Sequence, residues 1–491
     1  LGFRISTETV SSLSGNGYMA SQSIPDKLFS SFQSIAALGK KYDNEDSPTE
    51  QYYGFLTKIE DVSYQAQWSV QFELVPKEWM DVAVLGLKST VRSQPPASPA
   101  TLLVFEDASP DDIAKNLSRD VDDIKEGDWY MITLGKGNPA LRLRLRKSSS
   151  SPYKTKACGK FLGIKKSRKL SRRFRARGKI SVKAIMNMLA HMQCDEIGVM
   201  DVGAGGCNLV YNDNGVPQFY VDVGLPMFAN FNSMPPANPV TGFVGICNPG
   251  PCLANNPPVI LTHWHWDHYT MAHFSNNAAA LRNRHWVVPN QAFGGFANNV
   301  FSGIAPMNRH VMPGPLPGVL GGNVHVIQCV ALAPAVGFNN TGLAVVVNVD
   351  NINNRRALLP GDAAFQCIPG VGAIAGLRWI TATHHGSDTN IIAAQIPAAP
   401  NAIIGKIAYS YGIRPNGVHC YGHPRAAAIN AYHARGWGPR GALDEPATAE
   451  NRPNSGENPR QRGNILMCNN VIPPPCGVAN CPFHVFPKTL V

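Results

Sequence analysis

The run VILTHWHWDHY, residues 259–269, gathers three histidines and an aspartate within six positions. A short apolar strand, Val259 to Thr262, leads directly into His263, His265, Asp267 and His268. Imidazoles at i and i+2 leave an extended chain on the same side, and Asp267 and His268 follow as the chain turns into a helix. Neutral ring nitrogens beside a hard carboxylate form the donor set of Zn²⁺ or Mn²⁺, and so compact a loop can serve two neighbouring cations while leaving positions for water. The chemistry this predicts is metal-assisted hydrolysis, in which paired cations activate water at neutral pH and clamp both ends of an in-line displacement.

This HxHxDH pattern after an apolar strand resembles the signature of the metallo-β-lactamase superfamily, and other segments fall in that family's order. DVGAGGCN (201–208) followed by FYVDVG resembles its opening hairpin, ALLPGDAAF (357–365) its bridging-aspartate motif and TATHHGSD (381–388) its last metal-histidine motif. SYGIRPNGVHCYGHP (410–424) resembles the closing segment. The combination is most similar to the hydrolase domain of ComEC-type DNA-uptake proteins, over about Ile180 to Trp437. The resemblance implies an α+β fold, an αββα sandwich carrying two divalent cations. His263 and His265 would bind one; Asp267, His268 and either His384 or His385 would bind the other, with His385 preferred. Asp362 would bridge both. Asp267, Asp362 and His423 are the candidate catalytic residues, with His423 open between an acid for the leaving group and a structural turn residue. Ser387, Asn416 and Tyr421 are candidates for substrate hydrogen bonds. The implied substrate is nucleic acid or another phosphodiester; a small carboxylic substrate such as a lactone, β-lactam or thioester is the alternative, because the same site chemistry attacks a carbonyl. Stand-alone relatives in bacterial defence systems suggest a further alternative, an effector gated by a partner protein.

One departure from the pattern stands out. The family commonly places a third histidine on the first cation, upstream of the bridging aspartate, but the matching stretch VALAPAVGFNNTGLAVVV has none. His310, His325 or a water would have to substitute, and a single cation stays open as an alternative.

The elements that position these groups come from periodicity. YQAQWSVQFELV (64–75), TLLVF (101–105), WYMITLG (129–135) and LRLRLR (141–146) alternate as strands, and DDIAKNLSRDVDDI (111–124) has helical spacing. Residues 1–150 are therefore expected to form a separate α+β accessory domain, a candidate docking surface for a protein partner. Residues 151–179 read as a basic linker, 180–437 as the hydrolase domain and 438–491 as a Pro- and Cys-containing tail. Within the hydrolase domain SVKAIMNMLAHM reads as a helix, an Asn-Asp-Asn-Gly turn at 212–215 marks a hairpin, and the Pro-, Gly- and Asn-rich stretch 225–258 reads as a lid-like insertion.

Charge and cysteine usage bound the rest. Of a net charge of +11, ten positive residues fall in Lys160–Lys179 without an acid, leaving about +1 elsewhere. That block is either a solvated linker or a phosphate-binding arm in which Arg172 and Arg173 would contact a nucleic acid. Eleven cysteines without a dense framework suit reduced thiols, and with no membrane span and no visible secretory signal they lead to a cytoplasmic expectation. Cys468, Cys476, Cys481 and His484 permit a structural zinc knot, although their spacing favours separate thiols.

Overall fold

The computed structural model describes residues 50–61, 68–81, 101–108, 124–135, 143–146, 154–157, 160–178, 182–203, 205–225, 252–275, 277–312, 319–332, 337–350, 354–389, 391–400, 405–411, 423–438, 448, 464–467 and 488–490. They form a mixed α/β structure of three sheets with few and short helices. The predicted helix at 111–124, most of the insertion at 225–258 and the four candidate zinc residues of the tail lie outside the described residues.

An eight-stranded sheet runs in the order Arg309–Val311, Trp286–Val288, Val259–Ile260, Pro217–Val223, Cys207–Tyr211, Glu196–Val199, Ile465–Met467 and Lys488–Leu490. Its central strands are buried on both faces, as their near-continuous apolar sequence requires. Leu209, Tyr220, Val259, Leu261, Trp286 and Val288 point to one core, whereas Val210, Phe219, Val221, Ile260 and Val287 point to another. This second core is shared with a six-stranded sheet ordered Val319–Gly321, Val324–Gln328, Leu343–Asp350, Arg355–Leu359, Leu377–Thr381 and Lys406–Ala408. Val326, Val345, Val347, Leu359 and Trp379 supply its side. The helix Ala426–Ala434 covers the outer face of the six-stranded sheet through Tyr432, and Gly295–Gly303 lies among the residues on the outer face of the other.

The third sheet is antiparallel and seven-stranded, ordered Lys154–Ala157, Leu143–Arg146, Thr101–Ala108, Trp68–Pro76, Glu50–Asp61, Trp129–Gly135 and Lys160–Lys166. Phe55, Phe72 and Trp129 of this N-terminal sheet share one core with Trp264, Trp266, Phe293 and Phe338.

Within 151–179 the described residues form two strands and a short helix. Lys160–Lys166 pairs with Trp129–Gly135 at the sheet edge, and a short helix Arg168–Arg173 follows. Leu170 and Phe174, four residues apart, are fully buried, so an apolar pair at helical spacing anchors a segment whose charge count reads as solvated. Two short strands of the 438–491 stretch join the eight-stranded sheet. Ile465–Met467 pairs antiparallel with Glu196–Val199, Asn464 Oδ1 accepts from the Asp201 N–H at 2.8 Å, and Trp379 Nε1 donates to the Leu490 carbonyl at 3.1 Å.

A single buried acid ties the N-terminal sheet to the rest. Glu73 accepts from the Phe296 N–H at 2.8 Å, in the first turn of Gly295–Gly303, and from the Tyr269 hydroxyl at 3.2 Å. Gly294 permits this approach, since a Cβ there would stand 2.1 Å from Glu73 Oε2. Burial pushes the Glu73 carboxyl up to about 7, against the pull of its donors. A folded-state value above the unfolded one means stability that is complete below about 4.5 and falls as pH rises through about 7. Glu73→Gln is therefore expected to flatten this dependence, removing roughly 3 kcal/mol of loss between pH 4.5 and 8. Denaturant unfolding of both proteins across that range checks it; parallel curves would dismiss Glu73 as the cause.

Candidate metal centre

The strand Val259–Ile260 ends beneath a loop that delivers His263 and His265, and the short helix Trp266–Tyr269 delivers Asp267 and His268. Asp362 follows the strand Arg355–Leu359, and His385 follows Leu377–Thr381. Strand ends of two facing sheets thus meet at one point. Gly224 lets the neighbouring strand close on this loop, because a Cβ there would lie 1.6 Å from the Asp267 carbonyl oxygen.

Two buried donor groups result: His263, His265 and Asp362, and Asp267, His268 and His385, each with one atom per residue within 4.8 Å of the others. The Asp362 carboxylate stands between them. Its Oδ1 lies 3.2 Å from His268 Nε2 and 4.0 Å from His385 Nε2, while Oδ2 lies 3.5 Å from His263 Nε2. Asp267 Oδ2 is 3.6 Å from His385 Nε2.

His263 Nε2, His268 Nε2, His385 Nε2, Asp267 Oδ1, Asp362 Oδ2 and both nitrogens of His265 are buried without a hydrogen-bond partner among the described residues. Buried polar atoms left so cost free energy, and a convergent set of them fits a cation. Either group could hold a divalent metal ion.

Ring orientation is set from outside the two groups. His268 Nδ1 lies 2.8 Å from Asp222 Oδ2, His385 Nδ1 donates to the Ser410 carbonyl at 2.9 Å, and His263 Nδ1 is 3.1 Å from Thr262 Oγ1. Each contact engages the nitrogen away from the cluster and turns Nε2 inward. Asp222 also accepts from the Thr262 N–H and hydroxyl at 2.7 and 2.8 Å. Burial, then the nearby charge of His268, holds His263 well below the usual imidazole range, and burial lowers His265 to about 3. Both rings are neutral at pH 7, as ligation requires. Burial opposes the ionisation of Asp267, but Lys58 and His385 hold its carboxyl well below the usual range. His268 does the same for Asp362.

The other predicted residues divide. His384 Nε2 is 3.7 Å from Asp362 Oδ2, at the rim of the first group rather than in the second. His423 is buried with its ring 5.8 Å from that of His384. Ser387 is buried and its hydroxyl pairs with Thr389, to which it donates at 3.0 Å and from whose N–H it accepts at 3.1 Å, closing a turn. Asn416 and Tyr421 lie outside the described residues. Arg172 is exposed and Arg173 half-exposed on the basic helix, away from the two groups. Neither suggested substitute for the missing histidine reaches the first group: His310 lies 3.0 Å from His285 on the edge strand, and His325 is on Val324–Gln328. Phe338 stacks on His265 instead, with ring centroids 5.0 Å apart.

Sequence reasoning misses three residues at the centre. Asp222 carries a signal, the DVG at a strand end. Lys58 and Glu126 carry none, because they come from the N-terminal sheet. A register shift between Leu56 and Lys58 inserts one extra residue and re-aims Lys58. Its Nζ lies 3.4 Å from Asp267 Oδ2, with both side chains almost wholly buried. Glu126 Oε2 lies 4.0 Å from His265 Nε2.

No protein-family model matches the chain, and no curated protein is similar to it in sequence.

Lys58 is the counter-charge of a buried carboxylate. Lys58→Met is expected to destabilise the protein in chelator by on the order of 3 kcal/mol, since a buried charge loses its partner. Saturating Zn²⁺ should shrink that deficit by supplying positive charge at the same carboxylate. Unfolding curves with and without metal measure both values, and an equal deficit in the two conditions would disprove the compensation.

Proposed function

We propose that this protein is a metal-dependent phosphodiester hydrolase of the metallo-β-lactamase superfamily that cleaves nucleic acid. The observation that carries the reading is the Asp362 carboxylate, whose two oxygens face two separate buried donor groups. A shared carboxylate is the arrangement that two adjacent divalent cations need. His263 and His265 would hold one with Asp362 Oδ2; Asp267, His268 and His385 would hold the other with Oδ1. Zn²⁺ and Mn²⁺ both suit this donor set. Bound there, the pair supplies Lewis-acid polarisation of a phosphoryl oxygen and acidifies water at neutral pH.

The chain's own residues do the rest. Asp362 keeps the two donor groups in register, and Asp222, Thr262 and the Ser410 carbonyl fix the rings that face inward. Asp267 stays ionised beside Lys58, so its unpartnered Oδ1 is available to a cation. His423, behind His384, is the side chain we assign to protonating the leaving oxygen.

Surface charge favours a polymeric phosphodiester over a small carboxylic ester. Lys165 and Lys166 on the edge strand of the N-terminal sheet, Arg168 and Arg172 on the helix after it and Arg175 just beyond are all exposed. Beneath them Phe174 packs on Trp129 at 4.7 Å, Trp129 on Phe55 at 5.6 Å, Phe55 on Phe338 at 6.2 Å and Phe338 on His265 at 5.0 Å. The basic edge and the candidate centre thus share one rigid aromatic seam, which would hold a bound phosphate chain at a constant offset from the cluster.

Purified protein with Zn²⁺ or Mn²⁺ is expected to hydrolyse single- or double-stranded oligonucleotide and bis(p-nitrophenyl) phosphate, and Asp362→Asn to lower kcat more than it raises KM. Turnover of nitrocefin or a thioester without any phosphodiester would overturn the reading. Replacing Arg168, Arg172, Arg173 and Arg175 by Gln should reduce the salt dependence of oligonucleotide binding by about 0.7 to 0.9 in log–log slope for each phosphate-binding cation so removed. Hydrolysis of the small diester should be unchanged. Equal slopes would remove the basic edge from substrate binding.

A further inference from the structure

A lysine of the N-terminal sheet borders the second donor group. Lys58 Nζ lies 3.4 Å from Asp267 Oδ2, and His385 Nε2 lies 3.6 Å from the same oxygen. The ammonium thus stands at the edge of the space on which Asp267 and His385 converge. The first group differs: among the described residues Asp362 is paired with imidazoles alone, those of His263, His268, His384 and His385.

The fold holds Lys58 in that place from several sides. Thr57 is the extra residue of the bulge, between the pairs Leu56–Phe72 and Lys58–Gln71. Consecutive polar side chains, Thr57 and Lys58, are both buried there. Both neighbours of Lys58 are tethered: Thr57 Oγ1 donates to Glu73 Oε1 at 3.5 Å, and the Ile59 N–H donates to Glu126 Oε1 at 2.6 Å. Glu73 Oε1 also accepts from the hydroxyl of Tyr269, on the same short helix as Asp267, at 3.2 Å. The lysine strand and the aspartate helix are therefore held against each other by contacts outside the ion pair itself. A lysine ordinarily keeps its ammonium in water; this one is withdrawn from it beside a carboxylate.

We propose that Lys58 sets the metal stoichiometry of the centre: the first group fills at lower metal concentration, and the second only when a divalent ion displaces the Lys58 ammonium from Asp267. The inference rests on the two-cation reading above and deepens it, because it makes one of the two sites conditional on the N-terminal sheet. Two positive charges at one buried carboxylate repel each other, and a low-dielectric interior strengthens that repulsion. By linkage the effect is reciprocal: the ammonium lowers the affinity for the ion by the same factor by which the ion loosens the ammonium. Asp362 Oδ2 and the two rings of the first group carry no such resident ammonium among the described residues. At limiting metal the protein then holds one divalent ion per chain, and Lys58 supplies the second positive charge.

The test uses the full chain and Zn²⁺ alone, with stepwise affinities measured by chelator competition and bound metal by elemental analysis. Wild type should show two sites at least about tenfold apart. Lys58→Met should tighten the weaker site by about 5- to 150-fold and leave the tighter one within about twofold, whereas Lys58→Arg, which keeps the charge, should stay near wild type. His385→Ala removes a donor of the second group, so it should weaken the weaker site further and spare the tighter. A Met variant whose weaker site does not tighten overturns the proposal, as does loss of the tighter site in His385→Ala. Should Lys58→Met fail to fold, the ammonium nitrogen signal of Lys58 in wild type decides, assigned by its loss in Lys58→Arg. It is expected to stay in place on the first equivalent of Zn²⁺ and to shift on the second; a shift complete at the first equivalent refutes the order. Wild type that binds no Zn²⁺ removes the metal centre itself, and this inference with it. Two unequal sites that respond to Lys58 as expected, without phosphodiesterase activity, would remove only the proposed reaction.

Discussion

Six buried side chains, His263, His265, Asp267, His268, Asp362 and His385, face one another instead of water, and the surrounding structure is arranged around the cost of that. An ionised carboxylate withdrawn from water loses several kcal/mol of hydration, which only nearby positive charge and donors can return. Asp267 obtains this from Lys58, and Asp362 from the imidazoles on either side. Neither source is local in sequence. The cluster therefore exists only when the strand ends of two facing sheets and the bulged strand of a third are held together, and the shared apolar cores do that holding.

The backbone shows where the cost is concentrated. Asp222, His384 and His385 all have positive φ, at 63°, 47° and 57°. The other non-glycine residues of that kind among the described residues are asparagines, which tolerate the left-handed region readily. A histidine there is held against a preference of about 1 to 3 kcal/mol, and such residues persist where surrounding contacts over-determine them. For His385 those contacts are the Ser410 carbonyl at Nδ1 and the turn closed by Ser387. Two consecutive left-handed histidines splay their rings to different sides, 6.3 Å apart at a tilt of 63°. That is why one joins the Asp267 group and the other stops at the outer oxygen of Asp362.

What can be read from sequence follows the range of the interactions. His263, His265, Asp267 and His268 are separated by at most five positions, so the local run from extended chain into a helical turn places them together. Asp362 and the His384–His385 pair need a family resemblance, because only topology brings them near. Lys58 and Glu126 are invisible: they approach Asp267 and His265 across more than a hundred residues, through a one-residue bulge and a tethered turn. The α+β character and most N-terminal strands are evident from alternation, whereas the ten charges of the basic segment hide two buried anchors, Leu170 and Phe174. Three-residue strands such as Ile465–Met467 are too short for any period to register.

The N-terminal sheet joins the basic edge to the buried donor groups. Trp129–Gly135 pairs with Lys160–Lys166 on one side and with the strand carrying Lys58 on the other. Directly before it comes the turn that carries Glu126. On the proposed reading, a phosphate chain laid along the basic edge would lie beside the strand that neighbours the one whose bulge brings Lys58 to Asp267. The Lys166–Asp128 ion pair links that edge to the Glu126 turn as well. Interiors packed at crystal-like density move as units, not by independent side-chain adjustments. The basic edge and the buried donor groups thus belong to one packed body, so a polymer bound at the edge as proposed would meet donor groups already held in register. A short diester that never touches the edge meets the same centre, which places any preference for polymers in binding and not in the assembly of the cluster.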